Sequence, residues 1–84
     1  MDARLHSYFH LTWYRPTHAE DRSRVVAWTC DCQDTVYELC HAGGQGYLRR
    51  MTREDDAVIV HETHRWTFSK TDDWWAGLLV GLVR

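Results

Sequence analysis

The chain has 84 residues, of which 44% are hydrophobic, 13% aromatic and 26% charged. This profile predicts a single globular domain over residues 1–84 with a small core, and it excludes a disordered or collagen-like chain. A formal charge of −2 argues against a dedicated nucleic-acid binder, which must neutralise phosphates, and no apolar run approaches the roughly 18 residues of a membrane span.

The number of cysteines bears on the cellular compartment. The chain has three, whereas a small secreted scaffold normally carries an even set that pairs into disulfides. The first residues contain no apolar signal core. Together these features predict a cytoplasmic protein whose thiols are free or bound to a metal.

Alternating apolar and polar residues predict strands through most of the chain. The predicted strands are residues 5–14, 24–32, 35–41, 47–52 and 57–67. The polar residues 15–23 are predicted to form a loop, and a two-residue turn at Gln33 and Asp34 joins the second strand to the third. Three glycines in residues 42–46 tolerate the positive φ angles of a hairpin loop before the fourth strand.

The end of the chain has the pattern of a helix. Thr71, or alternatively Ser69, is predicted as its N-cap, and Asp72 and Asp73 favour the positive end of the helix dipole. The spacing i, i+3, i+4, i+7 predicts one apolar stripe, which consists of Trp75, Leu78, Leu79 and Leu82. The expected fold is therefore α+β, with an antiparallel four- to five-stranded meander sheet and a C-terminal amphipathic helix packed on one face.

The cysteines are the candidate metal ligands. Cys30 and Cys32 share one face of a predicted strand. The two-residue turn pairs Ala27 with Cys40 and so places Cys40 on the opposite face, although a longer turn or a bulge would reverse this. Buried thiols without a cofactor are therefore the favoured interpretation. The alternative is a zinc or thiol redox site that uses Cys30, Cys32 and either Cys40 or a histidine.

Catalytic motifs are missing from the sequence. His61 and His64 stand three residues apart in a predicted strand, whereas a zincin needs two histidines one helical turn apart. The glycines before Tyr47 lack the Gly-Lys-Ser/Thr ending and the following helix of a phosphate-binding loop. We therefore expect no enzymatic activity.

Tryptophan is frequent, with five residues, and it is a preferred anchor of protein interfaces. Trp74 and Trp75 are adjacent, so we expect Trp75 in the core and Trp74 at an interface. Gly77 and Gly81 lie one helical turn apart, where small residues allow another backbone to approach closely. That neighbour is either the sheet of the same chain or a second copy or partner protein.

A second candidate surface lies on the predicted fourth strand. Arg49, Arg50 and Arg53 form the only basic cluster, and strand alternation places Tyr47 and Arg49 on one face. An exposed tyrosine and arginine are able to stack nucleic-acid bases or bind a partner. The alternative is a solvated face whose arginines pair with Glu54, Asp55, Asp56 or Glu62.

Several segments carry a resemblance to other proteins. They are residues 28–32 (WTCDC), 36–40 (VYELC), 46–50 (GYLRR), 60–66 (VHETHRW) and the ending from residue 74. Over residues 25–84 the chain resembles short proteins of actinomycetes with no known activity, ligand or fold. The resemblance implies a bacterial, cytoplasmic protein and assigns no role to any residue.

The sequence therefore predicts a small non-enzymatic interaction or regulatory module, without a membrane segment. It would bind a protein partner or form a homodimer through an aromatic-rich surface of helix and sheet. The alternatives are a metal-binding or thiol redox-sensing protein and a weak nucleic-acid binder.

Overall fold

The computed structural model describes residues 10–16, 22–29 and 34–83. It contains the strands β1 (Arg24–Trp28), β2 (Thr35–Ala42), β3 (Gln45–Glu54) and β4 (Ala57–Glu62), followed by the helix α1 (Phe68–Leu79). The strands form one sheet in the order β1-β2-β3-β4, and each neighbouring pair is antiparallel. α1 packs on β2 and β3. The predicted α+β fold, an antiparallel meander with a C-terminal helix, is therefore confirmed.

The predicted glycine loop between the third and fourth predicted strands is present but shorter than residues 42–46, because Ala42 belongs to β2 and Gln45 and Gly46 belong to β3. Gly43 and Gly44 have φ angles of 57° and 81°, and Ala42 pairs with Gln45 on either side of them. Two consecutive positive φ angles are typical of the tight turn whose twist matches that of the flanking strands. This turn sets the register that places Leu39 opposite Leu48.

The first predicted strand is not observed in the part of it that the structure describes. Residues 10–14 form no strand, and residues 5–9 lie outside the described residues. Only Tyr14 pairs with the sheet, by exchanging two backbone hydrogen bonds of 2.7 Å with Glu62. The last strand is also shorter than predicted, because β4 ends at Glu62. Among the described residues the sheet therefore has four strands.

The predicted register between β1 and β2 is wrong by one residue at Trp28 and Ala27 and by two residues at Val25 and Arg24. Trp28 pairs with Glu38 and Ala27 with Leu39, and a register shift follows between Val25 and Ala27. The described parts of these two strands are Arg24–Trp28 and Thr35–Ala42. Residues 30–33, which include the end of the predicted second strand and Gln33 of the predicted turn, lie outside the described residues.

The sheet has two different faces, because successive side chains of a strand point to opposite sides. The helix face carries Leu39 and Leu48, which form the main core with Leu78 and Val83. Leu11 and Trp13 pack beside the helix against the same core. The opposite face is called the groove face here, and its cross-strand neighbours include Glu38 with Arg49 and Cys40 with Tyr47.

The helix begins earlier than predicted. Its N-cap is Thr67, whose side-chain oxygen accepts a hydrogen bond of 3.2 Å from the backbone N–H of Lys70. Thr71 is not the cap but a fully buried residue inside α1, and Ser69 also lies within the helix. The first turn accordingly contains no acidic residue. The cap was misplaced because three hydroxyl residues stand within five positions, and only packing against the sheet distinguishes them.

The helix also ends earlier than predicted. Gly81 has a φ of 82°, and its N–H donates to Leu78 O at 3.1 Å. The N–H of Leu82 donates to Gly77 O at 2.8 Å. This pair of bonds is the Schellman arrangement, in which a left-handed glycine closes a helix. Gly81 therefore stops α1 instead of forming part of its flank.

The buried stripe of α1 differs from the predicted one as a consequence. Leu79 and Leu82 were expected to face the core, but both are exposed. The residues that face the sheet follow the same spacing from an earlier start, and they are Thr71, Trp74, Trp75 and Leu78. No helix of the described residues is both long and apolar enough to cross a membrane.

Candidate functional site

The structure describes one of the three cysteines. Cys40 is fully buried and free, in a small cluster with Ala42 and Tyr47. Cys30 and Cys32 lie outside the described residues. In the described part of the chain no three side chains of His, Cys, Asp or Glu come together in a way that could hold a metal ion. The zinc or redox site on the three cysteines therefore stays a prediction.

Burial makes the Cys40 thiol a poor nucleophile and gives the protein a pH dependence. Burial raises the pKa of Cys40 from 9.0 to about 11, so the folded protein retains a proton that the unfolded chain releases at lower pH. Stability is therefore unaffected below pH 9 and falls as the pH rises from 9 toward 11. We expect the thermal midpoint measured across this range to fall less steeply in Cys40→Ala. If the thermal midpoint falls equally steeply with pH in both proteins, the prediction is contradicted. Burial also raises the pKa of Tyr47, so Tyr47 contributes the same pH dependence of stability to the wild type and to the variant.

A row of charged side chains crosses the groove face. Arg49 lies between Glu38 and Glu62, with 3.0 Å from Nη1 to Glu38 Oε1 and 3.3 Å from Nε to Glu62 Oε2. Its Nη2 donates to the Tyr47 hydroxyl at 3.1 Å, which in turn donates to Ser23 Oγ at 2.7 Å. All three charged groups are more than three quarters buried. Of the four acidic residues that were predicted as possible partners, Glu62 pairs with Arg49, and Glu38 extends the row to three strands.

Tyr47 is not the exposed platform that the strand pattern suggested. Its residue is only 2% exposed, and the guanidinium groups of Arg65 and Arg49 lie 5.0 and 5.9 Å from the centre of its ring. A ring so covered cannot stack on a nucleic-acid base. The expectation of an exposed Tyr47 is therefore wrong, because cross-strand partners and Arg65 cover this half of the groove face.

The other half of the groove face is open. A groove of about 360 Å³ is lined by apolar side chains from all four strands together with three charged residues, namely Trp28, Val36, Met51, Val58, Asp34, Glu38 and Arg53. Trp28 is 66% exposed and Val58 is 59% exposed. We call the four apolar residues with Asp34 and Arg53 the groove surface. Exposed apolar patches of this kind are typical of binding sites.

Sequence reasoning missed this surface, although β2 contained a signal for it. Val36 and Tyr37 are neighbours on opposite faces, and so are Leu39 and Cys40. A strand with apolar residues on both faces indicates that both faces are covered or bind something. Which of the two faces lacks a cover depends on where the helix packs, and the local pattern does not contain that information.

Three of the four partner-binding residues predicted for the C-terminal helix, Trp74, Trp75 and Gly77, lie in α1, and Gly81 follows it. Trp74 and Trp75 are both half-buried against the core, and the Trp74 ring lies 5.9 Å from that of Trp66. A Cβ atom added to Gly77 would lie 2.7 Å from Val83 Cγ2. The missing side chain of Gly77 therefore leaves room for Val83 of the same chain to pack against the helix. Gly81 caps the helix. The fold thus accounts for both glycines, and a partner-binding role of the four residues stays a prediction.

Two exposed apolar surfaces are therefore candidates for binding. One is the groove surface, and the other is the helix end, defined by Leu79, Val80 and Leu82, which are all more than half exposed. Comparison of the chain with protein-family models, with curated proteins and with solved structures finds no match.

Proposed function

We propose that this protein is a small, non-enzymatic cytoplasmic interaction module that forms a homodimer through the groove surface. The observation that carries the proposal is the exposure of Trp28 and Val58 beside an apolar groove on an uncovered part of the sheet. The buried free thiol of Cys40 fits a reducing compartment, because such thiols are usual in cytoplasmic proteins.

The groove surface supports a second copy as its occupant because it is self-complementary. A twofold interface brings the same patch of both subunits together, so that patch must contain both partners of every contact. Trp28 supplies a protruding side chain, whereas Val36, Met51 and Val58 line a groove that can receive one. Asp34 and Arg53 supply one charge of each sign at the rim.

The charges inside the groove face also favour association. Burying an unpaired charge is costly, but Arg49 already has Glu38 and Glu62 as partners within the chain. A second subunit can therefore cover the apolar residues without separating any of these ions from its partner. The row of Glu38, Arg49 and Glu62 then forms a polar boundary on the groove face. It separates the half that contains the buried Tyr47 from the open half.

The size of the groove surface predicts weak association. A patch four strands wide and about five residues long covers roughly 300 Å². Stable complexes bury about 800 Å² on each partner. We therefore expect a reversible dimer with a dissociation constant on the order of 100 µM, which corresponds to about 5.5 kcal/mol.

Sedimentation equilibrium of the full chain over a concentration series to about 1 mM tests the proposal. Val58→Asp places a carboxylate in the groove surface, and we expect it to raise the dissociation constant at least about tenfold. The matched control is Val80→Asp at the helix end, where the valine is 70% exposed. This variant is expected to leave the dimer unchanged, and thermal melts of both variants report whether the fold is retained.

The possible results distinguish the two surfaces. A protein that is monomeric at every concentration would refute the homodimer. Loss of the dimer in Val80→Asp but not in Val58→Asp would assign the contact to the helix end, and therefore to the neighbourhood of Trp74 and Gly77. Equal weakening by both substitutions would show that general surface charge, not the groove, controls association.

A further inference from the structure

Arg49 and Arg50 are sequence neighbours with opposite surroundings. Arg49 has two carboxylates and a tyrosine hydroxyl as partners on the groove face. Arg50 points to the helix face, where its guanidinium lies over the Trp13 ring at 4.6 Å from the ring centre. Both ion pairs observed between described residues belong to Arg49. Arg50 is thus a half-buried cation without a carboxylate partner in the described part of the chain.

The polar atoms around Arg50 are also unpaired. Arg50 Nε, Trp13 Nε1 and His61 Nδ1 are all buried, and none has a hydrogen-bond partner among the described residues. Arg50 and His61 are direct cross-strand neighbours of β3 and β4. Such neighbours share a face, with Cβ atoms about 5 Å apart, and Trp13 covers Arg50 from above. The three side chains therefore form one cluster on the helix face.

The chemistry of this cluster indicates which kind of ligand atom it would bind. An indole nitrogen and a guanidinium nitrogen only donate hydrogen bonds, and an imidazole nitrogen donates in one of its forms. Buried donors in native proteins nearly always have an acceptor. Together with the uncompensated charge of Arg50, the donors call for an anionic oxygen. We infer that Trp13, Arg50 and His61 form a binding site for a small oxyanion, a carboxylate or a phosphate.

The position of Trp13 limits the ligand to a small group. Residues 10–16 cover this half of the helix face, where the Trp13 ring also lies 5.9 Å from that of Tyr37. The segment is held to the sheet by the two backbone bonds between Tyr14 and Glu62. Because the three nitrogens have almost no solvent contact, the indole must tilt for an anion to enter. A group of the size of acetate or phosphate requires the smallest such movement.

The site is independent of the proposed dimer. Arg50 and Trp13 lie on the helix face, whereas Trp28 and Val58 lie on the groove face. Anion binding and self-association therefore succeed or fail separately, and each is measured with its own variants.

The test is a titration of the full chain followed by proton–nitrogen correlation spectra. The indole N–H signal of Trp13, assigned with Trp13→Phe, is recorded against sodium phosphate and, separately, sodium acetate at constant ionic strength. We expect a saturable downfield shift, because a hydrogen bond to a charged acceptor forms at this N–H. Saturation with acetate alone identifies a carboxylate ligand, and saturation with phosphate alone identifies a phosphate.

Variants connect the shift to the cluster. Arg50→Gln removes the charge, and we expect it to weaken binding by about tenfold or more; His61→Gln is expected to weaken it less. The matched control is Arg24→Gln, which removes an exposed arginine of β1 that belongs neither to the cluster nor to the groove surface and should leave the titration unchanged. The inference is wrong if the Trp13 indole shift of the wild-type protein does not saturate and sodium chloride produces the same shift. It is also wrong if Arg50→Gln and the wild type bind the anion with equal affinity.

Discussion

Replacement of Arg49 by Met is expected to lower the free energy of unfolding by about 3 kcal/mol. The substitution leaves Glu38 and Glu62, both more than four fifths buried, without the cation between them. It also removes one hydrogen bond to the Tyr47 hydroxyl. Removing one member of a buried ion pair costs more than the pair contributes, because the remaining charge has no compensation. Urea unfolding followed by circular dichroism measures the change.

Two further variants separate the charge from the packing of the long side chain. Arg53→Met makes the same chemical change at an exposed position of the same strand, and we expect an effect within about 0.5 kcal/mol. Adding Glu38→Gln and Glu62→Gln to Arg49→Met removes both stranded charges, so more than half of the lost stability should return. If the triple variant is as unstable as Arg49→Met, the uncompensated carboxylates are not the cause.

Replacement of Gly46 by Ala is expected to destabilise the protein by about 2–3 kcal/mol. Gly46 pairs with Trp66 through two backbone hydrogen bonds of 2.9 Å, and α1 lies directly above it. An added Cβ would be 2.5 Å from Thr71 Oγ1 and 2.8 Å from Thr71 Cβ. Since Thr71 is fully buried, its side chain has no free space to move into, and the helix must shift from the sheet. Thermal and urea unfolding measure the loss.

The cause of this effect is steric, and a double-mutant cycle tests that. Gly46 does not have a positive φ, unlike Gly43 and Gly44, so alanine brings no backbone strain there. Thr71→Ala removes the closest atom, Oγ1, and we expect Gly46→Ala to cost less in that background. As a control, Gly43→Ala meets no neighbour within 4 Å and should show only the cost of its left-handed backbone, about 1 kcal/mol. Additive effects of Gly46→Ala and Thr71→Ala would rule out the clash.

The candidate site was less predictable than the fold, and Tyr47 and Trp28 show why. Strand alternation correctly placed Tyr47 beside Arg49, but it could not tell that this half of the face is covered and that Tyr47 is buried. Trp28 had no predicted role, because its exposure depends on the register of β1 against β2 and on the absence of α1 from that side. Burial is set by elements that are distant in sequence, so a strand pattern predicts neighbours better than it predicts exposure.

The charge partners of the adjacent Arg49 and Arg50 were equally unpredictable from the local sequence. The sequence identified Arg49, Arg50 and Arg53 as one basic cluster and predicted that alternation separates the first two. Their different surroundings came from other strands: Glu38 and Glu62 for Arg49, and Trp13 for Arg50. Nothing within a few residues of either arginine distinguishes a paired cation from an unpaired one.

By itself the sequence determined the meander, the Gly43–Gly44 hairpin and the presence of a C-terminal helix. These features depend on local physics, namely the two-residue repeat of a strand, the positive φ that glycine tolerates and the spacing of an amphipathic helix. The tertiary structure alone decided the β1–β2 register, the choice of Thr67 as N-cap, the burial of Thr71 against Gly46 and the half of the sheet that stays open. Each of these depends on contacts between residues far apart in the chain, where several locally equivalent arrangements compete and only close packing selects one.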